Sequence, residues 1–403
     1  MLRYWLWLST LVGLGRKGML AVLSFFKTPE AAFLADRAEY ALVPGLTQSQ
    51  RDALEQKSLD HAEQILERCA RLGISLLTYQ DAAYPERLHA IDDAPIVLYY
   101  KGRLPELDTR PVIGVVGARA ASAYGLLQAK KFGYQLGACG AIVVSGMAKG
   151  IDALSMEGAL TAGGSVVGVL GCGADRIYPA ENRSLFRDVE ALGCILTEFE
   201  PGTPPDARNF PIRNRIISGL SNGVLVVEAG RRSGALITAN RALEQGRDVF
   251  AIPSNLDVDV GEGTNQLLRD GAILAMDAWD ILKEYAPLYP DKLTRRMGGE
   301  NLELTSRDLE RSAEEKPPEQ KSQKQEKPSP EAPTPVDLGA LKGSLSPDEW
   351  ALAQLLTDKP VHVDNLIEQS GLAASQALAA LTLLELKQIA VRMPGRRYTL
   401  VQK

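Results

Sequence analysis

Between residues 110 and 275 the chain repeats one unit, a short Val/Ile-rich run bounded by glycine followed by a stretch of helical periodicity. The runs are VIGVVG (112–117), AIVVSG (141–146), SVVGVLG (165–171), CILTEF (194–199), GVLVVEA (223–229), DVFAIP (248–253) and AILA (272–275). They are continuously apolar rather than alternating, so both faces of each strand must be covered. The helical stretches between most of them are long enough for crossovers. This pattern predicts a doubly wound, mostly parallel α/β sheet with more than five strands.

Ligands of such a sheet bind outside the carboxyl ends of its strands, and the glycine-rich turns fall there. Gly117-Ala118-Arg119 follows the first run. SGMAKGID (145–152) follows the second and carries Ser145, Gly146, Lys149 and Gly150. GCGADRIYPAEN (171–182) follows the third and ends at Asn182, and EAGRRSGALITA (228–239) follows the fifth. Each sets a glycine, which allows close backbone approach, ahead of a helix whose free amides and dipole favour an anion. Arg119 and Lys149 add full charges. GxxxxGK[ST] is absent, which excludes an ATPase P-loop, and none of these strand-end turns reads GxGxxG, which argues against a dinucleotide fingerprint.

The stretch FPIRNRIISGLS (210–221) lies between the fourth and fifth runs. Ile216, Ile217 and Leu220 recur at helical spacing, so Phe210-Pro211 reads as an entry turn and Arg213, Asn214 and Arg215 as the first helical turn. Cations there oppose the dipole unless an anion sits between them, which favours a phosphate clamp over a salt bridge to a neighbouring carboxylate. A nucleophilic enzyme is poorly supported, because no histidine lies between residues 110 and 286 to activate Ser145. Asp152 and Glu228 could form an acid/base pair, but loop anchoring is the simpler role for both.

The balance of 45 basic against 50 acidic side chains gives a net charge of −5 and excludes a general basic coat for nucleic acid. Any polyanion site must therefore be local. Cys69, Cys139, Cys172 and Cys194, like His61, His89 and His362, are scattered, with no metal-ligand spacing; a reducing cytoplasm and no cofactor are expected. The opening MLRYWLWLSTLVGLG resembles a secretory signal, yet Ser9 and Thr10 interrupt it, no small-x-small site follows, and Arg16 and Lys17 come at once. No run approaches the ~18 apolar residues of a membrane span.

Residues 1–84 read as a helical domain. In it, VGLGRKGMLAVLSFF and LVPGLTQSQRDAL each set a Gly turn before an amphipathic run, as in SAM or helix-hairpin-helix units. Lacking a Lys/Arg cluster beside those turns, it reads more simply as a packing domain than as a DNA clamp. The α/β domain spans 85–286. Residues 287–345 read as a disordered linker, with six prolines and five charges of each sign between 311 and 335. Residues 346–403 follow a winged-helix pattern of three helices and a Gly-tipped hairpin. The would-be recognition helix, AASQALAALTLLEL, has only Ser375, Gln376, Thr382 and Glu385 as polar residues. It is expected to meet protein, or its own core, rather than a major groove; Arg392, Arg396 and Arg397 in the wing are the exception.

Taken together, GAR, SGMAKGID, IYPAEN, FPIRNRIISGLS, EAGRRSGALITA, GRDVFAIP (246–253) and GEGTNQLLRDGA (261–272) resemble the DprA/Smf family of DNA-processing proteins of natural transformation. The resemblance runs from about 85 to 284. It implies an extended Rossmann-like fold that dimerises, binds incoming single-stranded DNA and loads the RecA recombinase, with no enzymatic activity and no cofactor. By motif match it places Gly117, Arg119, Ser145, Gly146, Lys149, Gly150, Asn182, Phe210, Arg213, Asn214 and Arg215 at the strand-binding pocket. It also places Leu267, Leu268, Ile273, Leu274 and Met276 near the dimer contact. Ile212 and Ala180 stand where the family frequently has a basic residue, which implies a less basic pocket. A rival resemblance is to phosphoribohydrolase-like nucleotide enzymes, but their PGGxGTxxE motif is replaced here by EAGRRSGALITA.

Overall fold

A computed structural model describes residues 1–299, 301–312, 345–357, 361–387, 389–393 and 397–400. The chain forms two compact units, Met1–Lys316 and Pro317–Lys403. The first is built on a nine-stranded sheet. Its strands are β1 Ser75–Thr78, β2 Val97–Gly102, β3 Val112–Val116, β4 Ile142–Ser145, β5 Ser165–Leu170, β6 Cys194–Thr197, β7 Gly223–Val226, β8 Asp248–Ala251 and β9 Ile273–Leu274. They run in the order β1-β2-β6-β5-β4-β3-β7-β8-β9. From β6 to β9 all neighbours are parallel, and β3 lies between β4 and β7, where the winding reverses.

The central strands are apolar on both faces because both are buried. In β3, Ile113 and Val115 enter one core with Leu126 and Phe132 of the Ala123–Cys139 helix. Val112 and Val116 enter the other, with Ile216, Ile217 and Leu220 of the Asn209–Leu220 helix. The Ala123–Cys139 helix packs tightly on Ile151–Thr161. A Cβ on Gly133 would stand 1.9 Å from the Ser155 carbonyl, and one on Gly158 would stand 2.1 Å from the Lys130 carbonyl.

All seven strands expected from the repeated runs are present. The reading of residues 1–84 as helical missed β1, and the repeated runs, which begin at residue 112, left out β2; β2 is antiparallel to both β1 and β6. SLLT continues the leucine spacing of the Asp60–Leu72 helix, so periodicity alone carries the helix onward. Gly73, at φ +63°, ends it with a left-handed cap. The sheet edge thus lies inside the region read as the separate domain 1–84. The preceding helices pack Trp5, Leu6, Trp7 and Leu8 into a core that takes in Ile96, Val97 and Tyr99 around β2. No helix among the described residues is long and apolar enough to cross a membrane.

The expected disordered linker is corrected over its first part. Beyond Tyr289 the chain runs along the Ala123–Cys139 helix: Thr294 N donates to Cys139 O at 3.0 Å and Gln135 Nε2 to Gly298 O at 3.1 Å. Leu293 and Leu304 pack on the core, and Lys130 pairs with the buried Asp308 at 3.1 Å. Two apolar anchors and a buried ion pair order this stretch, despite its charge. Residues 313–344, which hold most of the proline-rich tract, lie outside the described residues.

The second unit has helices Pro347–Ala353, Val363–Ser370 and Ala374–Leu386 and a three-stranded sheet of β10 Val361–His362, β12 Arg397–Leu400 and β11 Ala390–Met393, in that order. Ala377, Ala380, Leu381 and Leu384 of the third helix are core residues. Its outer side exposes Leu378 and Leu383 beside Ser375, Gln376, Thr382 and Glu385. Arg392 and Arg397 fall on β11 and β12, and Arg396 lies outside the described residues.

Candidate functional site

The loops after β3, β4 and β5 converge at the reversal point, and glycine allows the contact. Gly150, at φ +72°, lies so close to the β3 loop that a Cβ would stand 2.4 Å from Arg119 O. A Cβ on Gly117 would stand 2.5 Å from Ile151 Cγ1. The β4 loop is then fixed from inside. Asp152 accepts from Gly146 N at 3.1 Å and Ala148 N at 3.4 Å, and Asn182 Nδ2 donates to Met147 O and Ala148 O at 2.9 and 3.1 Å.

Arg213 completes this floor. It is 4% exposed and is the fifth residue of a helix that starts at Asn209, so it does not lie in the first turn. Its Nη1 donates to Gly146 O at 2.7 Å and to Val169 O, and its Nε donates to Asn214 Oδ1 at 3.1 Å. Burial brings its guanidinium down to about 10, with the Asp152 charge opposing that shift. Burial likewise pushes the Asp152 carboxyl up, and Arg213 opposes it. A Cβ on Gly146 would come within 2.6 Å of both Arg213 Nη2 and Asp152 Oδ2.

Above the floor is a cleft of about 30 Å3 lined by Arg119, Gly146, Ala148, Lys149, Tyr178, Pro179 and Phe210. The Phe210 ring has the Arg119 guanidinium 5.3 Å from its centroid, Arg213 at 5.8 Å, and the Tyr178 ring at 5.6 Å with a 35° interplanar angle. Arg119 is exposed and no described carboxylate pairs with it. Lys149 pairs with Glu181 at 2.7 Å. The surface therefore offers an exposed planar cation with no described carboxylate partner, the exposed ring of Tyr178 and the partly exposed ring of Phe210. That combination suits a phosphate next to a flat ring.

Four of the expected site residues meet at this surface: Arg119, Gly146, Lys149 and Phe210. Gly117, Gly150, Asn182, Arg213 and Asn214 build the loops and floor behind it. Two expectations are corrected. Ser145 is fully buried, and its hydroxyl donates to Val115 O at 2.6 Å. Arg215 is 3% exposed and pairs with Glu198 at 2.6 Å and Asp93 at 3.2 Å, while Arg16 also holds Glu198, at 2.7 Å. The pair of arginines is thus not a surface clamp; the salt-bridge alternative holds for Arg215. Glu228 accepts from Ser122 N and Oγ at 2.7 and 2.6 Å, so it and Asp152 each anchor a loop. Tyr178 was missed by sequence reasoning; its signal was an aromatic residue in a Gly-led loop at a strand's carboxyl end. Among the described residues no His/Cys/Asp/Glu group could hold a metal ion, and all four cysteines are buried and free.

A doubly wound sheet with a cationic, aromatic cleft beside its winding reversal, in a chain that also carries a winged helix, defines a Rossmann-like class of ligand-binding protein. Two sequence models narrow it: that of DNA recombination-mediator protein A matches residues 75–286, and that of the DprA winged helix domain matches 325–396. The chain belongs to the DprA/Smf family. It is 32% identical to protein Smf of Synechocystis over 98% of both chains. It is 43% identical to DNA processing protein DprA of Streptococcus pneumoniae over 51% of this chain and 72% of that one. The solved structure of the S. pneumoniae DprA matches with a TM-score of 0.63 at 34% identity, covering 70% of this chain and 98% of that one.

Proposed function

We propose that this protein binds single-stranded DNA at the cleft between the β3, β4 and β5 loops and acts as a recombination mediator that delivers the strand to a RecA-type recombinase during uptake of transforming DNA. The observation that carries the reading is the exposed, unpaired Arg119 guanidinium set over Phe210 beside Tyr178. In duplex DNA the base faces are stacked away; in a single strand they are free to lie on aromatic rings. The family's DNA recombination-mediator description supports the same role. The phosphoribohydrolase-like alternative needs a free carboxylate at the cleft, and none of the seven lining residues is an acid. Anisotropy titrations with labelled single- and double-stranded oligonucleotides of one sequence test the reading: the single strand is expected to bind at least about tenfold tighter. Equal affinities, or release of free base from a nucleoside monophosphate, would refute it.

Dimerisation belongs to the same proposal. The edge strand β9 exposes Ile273 and Leu274, and Met276 follows at 65% exposure. An exposed apolar edge invites pairing with a second copy. Of the five expected contact residues, Leu267 packs partly against the sheet core and Leu268 is half-buried, leaving Ile273, Leu274 and Met276 as the outward set. Light scattering at tens of micromolar is expected to give twice the chain mass, and the double variant Leu274→Asp, Met276→Asp the single mass. A monomeric wild type removes this part of the proposal.

A further inference from the structure

The cleft has a neighbour across the reversal point. Glu228, in the loop after β7, holds Ser122 at the start of the Ala123–Cys139 helix, and this seats Tyr124 at the same carboxyl edge. Tyr124 is 46% exposed, and its hydroxyl donates to Pro253 O in the β8 loop at 3.2 Å, which fixes the ring without covering it. In the β7 loop Arg231 is tied to Glu262 at 2.7 Å. Arg232 beside it is exposed, and no described carboxylate pairs with it. An aromatic face and a free guanidinium thus recur on the far side of β3, the same chemistry as Phe210 with Arg119. Further along the edge the charge changes sign: Asp257 and Asp259 are exposed in the β8 loop.

We propose that Tyr124 and Arg232 form a second nucleotide station, so that a single strand lying in the cleft continues across β3 to the β7 loop and stops before the acidic β8 loop. This rests on the reading of the cleft as a single-strand site. From β4 to β7 is two strand steps, roughly 10 Å. That is the reach of about three nucleotides at the ~3.4 Å rise of a stacked strand. Tyr124 takes a base by stacking, and Arg232 takes a phosphate.

The test uses the full chain and a labelled oligothymidylate of roughly 15 nucleotides, long enough to span both stations. Tyr124→Ala is expected to weaken binding about tenfold, and Tyr124→Phe, which keeps the ring, to bind like the wild type. Arg232→Ala is expected to reduce the steepness of log K against log salt by about 0.7, the contribution of one phosphate contact on a single strand. Melting temperatures measured alongside separate lost contacts from lost structure. Among the described residues Arg232 has no carboxylate partner to lose, so its variant remains informative if Tyr124→Ala proves unstable. If Arg119→Ala weakens binding while Tyr124→Ala and Arg232→Ala leave affinity and salt slope unchanged, the second station is refuted and the cleft stands. If the wild type binds no single strand, both fall.

Discussion

Replacing Arg213 by alanine is expected to lower the melting temperature of the first unit by roughly 10 °C, although the same residue reads in the sequence as a DNA contact. The guanidinium is buried and joins two strand ends by donating to the carbonyls of Gly146 and Val169. It also supplies the largest opposing charge to buried Asp152, whose carboxyl is further held by the amides of Gly146 and Ala148 and, more weakly, by the Arg119 charge. Leaving a buried charge without its opposing charge costs about 3–5 kcal/mol. At ~2–4 °C per kcal/mol for a unit of this size or somewhat smaller, the shift follows. Arg213→Lys is expected to recover little, since a single ammonium lacks the planar fork that spans two carbonyls and an amide. Thermal melts by circular dichroism decide it. An unchanged melt with lost DNA affinity would return Arg213 to the surface-clamp role.

The parallel part of the sheet was legible because its strands are buried on both faces and each ends in glycine. Such runs are hard to read as anything else. β1 and β2 were not, because a four-residue edge strand after an amphipathic helix keeps the helix's leucine spacing. The stretch from Tyr289 to Ser312 was hidden by its charges and by the proline-rich tract that follows it, which together suggest disorder, and only the partners on the Ala123–Cys139 helix reveal Leu293, Leu304 and Asp308 as anchors. At the site, glycine spacing correctly located the convergent loops. It could not tell an arginine that faces solvent from one that faces the sheet. Arg213 and Arg215 are two residues apart on one helix, and both turn inward to acceptors from other loops that local sequence does not identify. Arg119 follows a strand directly, and there the plain reading of an exposed cation holds.

That difference changes what the cleft should do in salt. With Arg213 and Arg215 engaged inside the protein, the cations left for phosphates are Arg119 and Lys149, once it releases Glu181, at the cleft and Arg232 at the second station. Two or three contacts give a log–log slope of about −1.4 to −2.1, or roughly 7- to 18-fold weaker binding between 50 and 200 mM salt. Arg119→Ala is expected to cost about tenfold in affinity and to flatten the slope by about 0.7. Phe210→Leu should separate stacking from charge. Leucine still covers Gly171, against which the phenyl ring packs, but offers no π face to a base or to Arg119. It is expected to weaken single-strand binding by about 5- to 100-fold with the salt slope unchanged. Should both variants alter only the slope, the site would be a plain anion patch; should both alter only the melting temperature, Phe210 and Arg119 would be parts of the fold, and the strand would have to bind elsewhere.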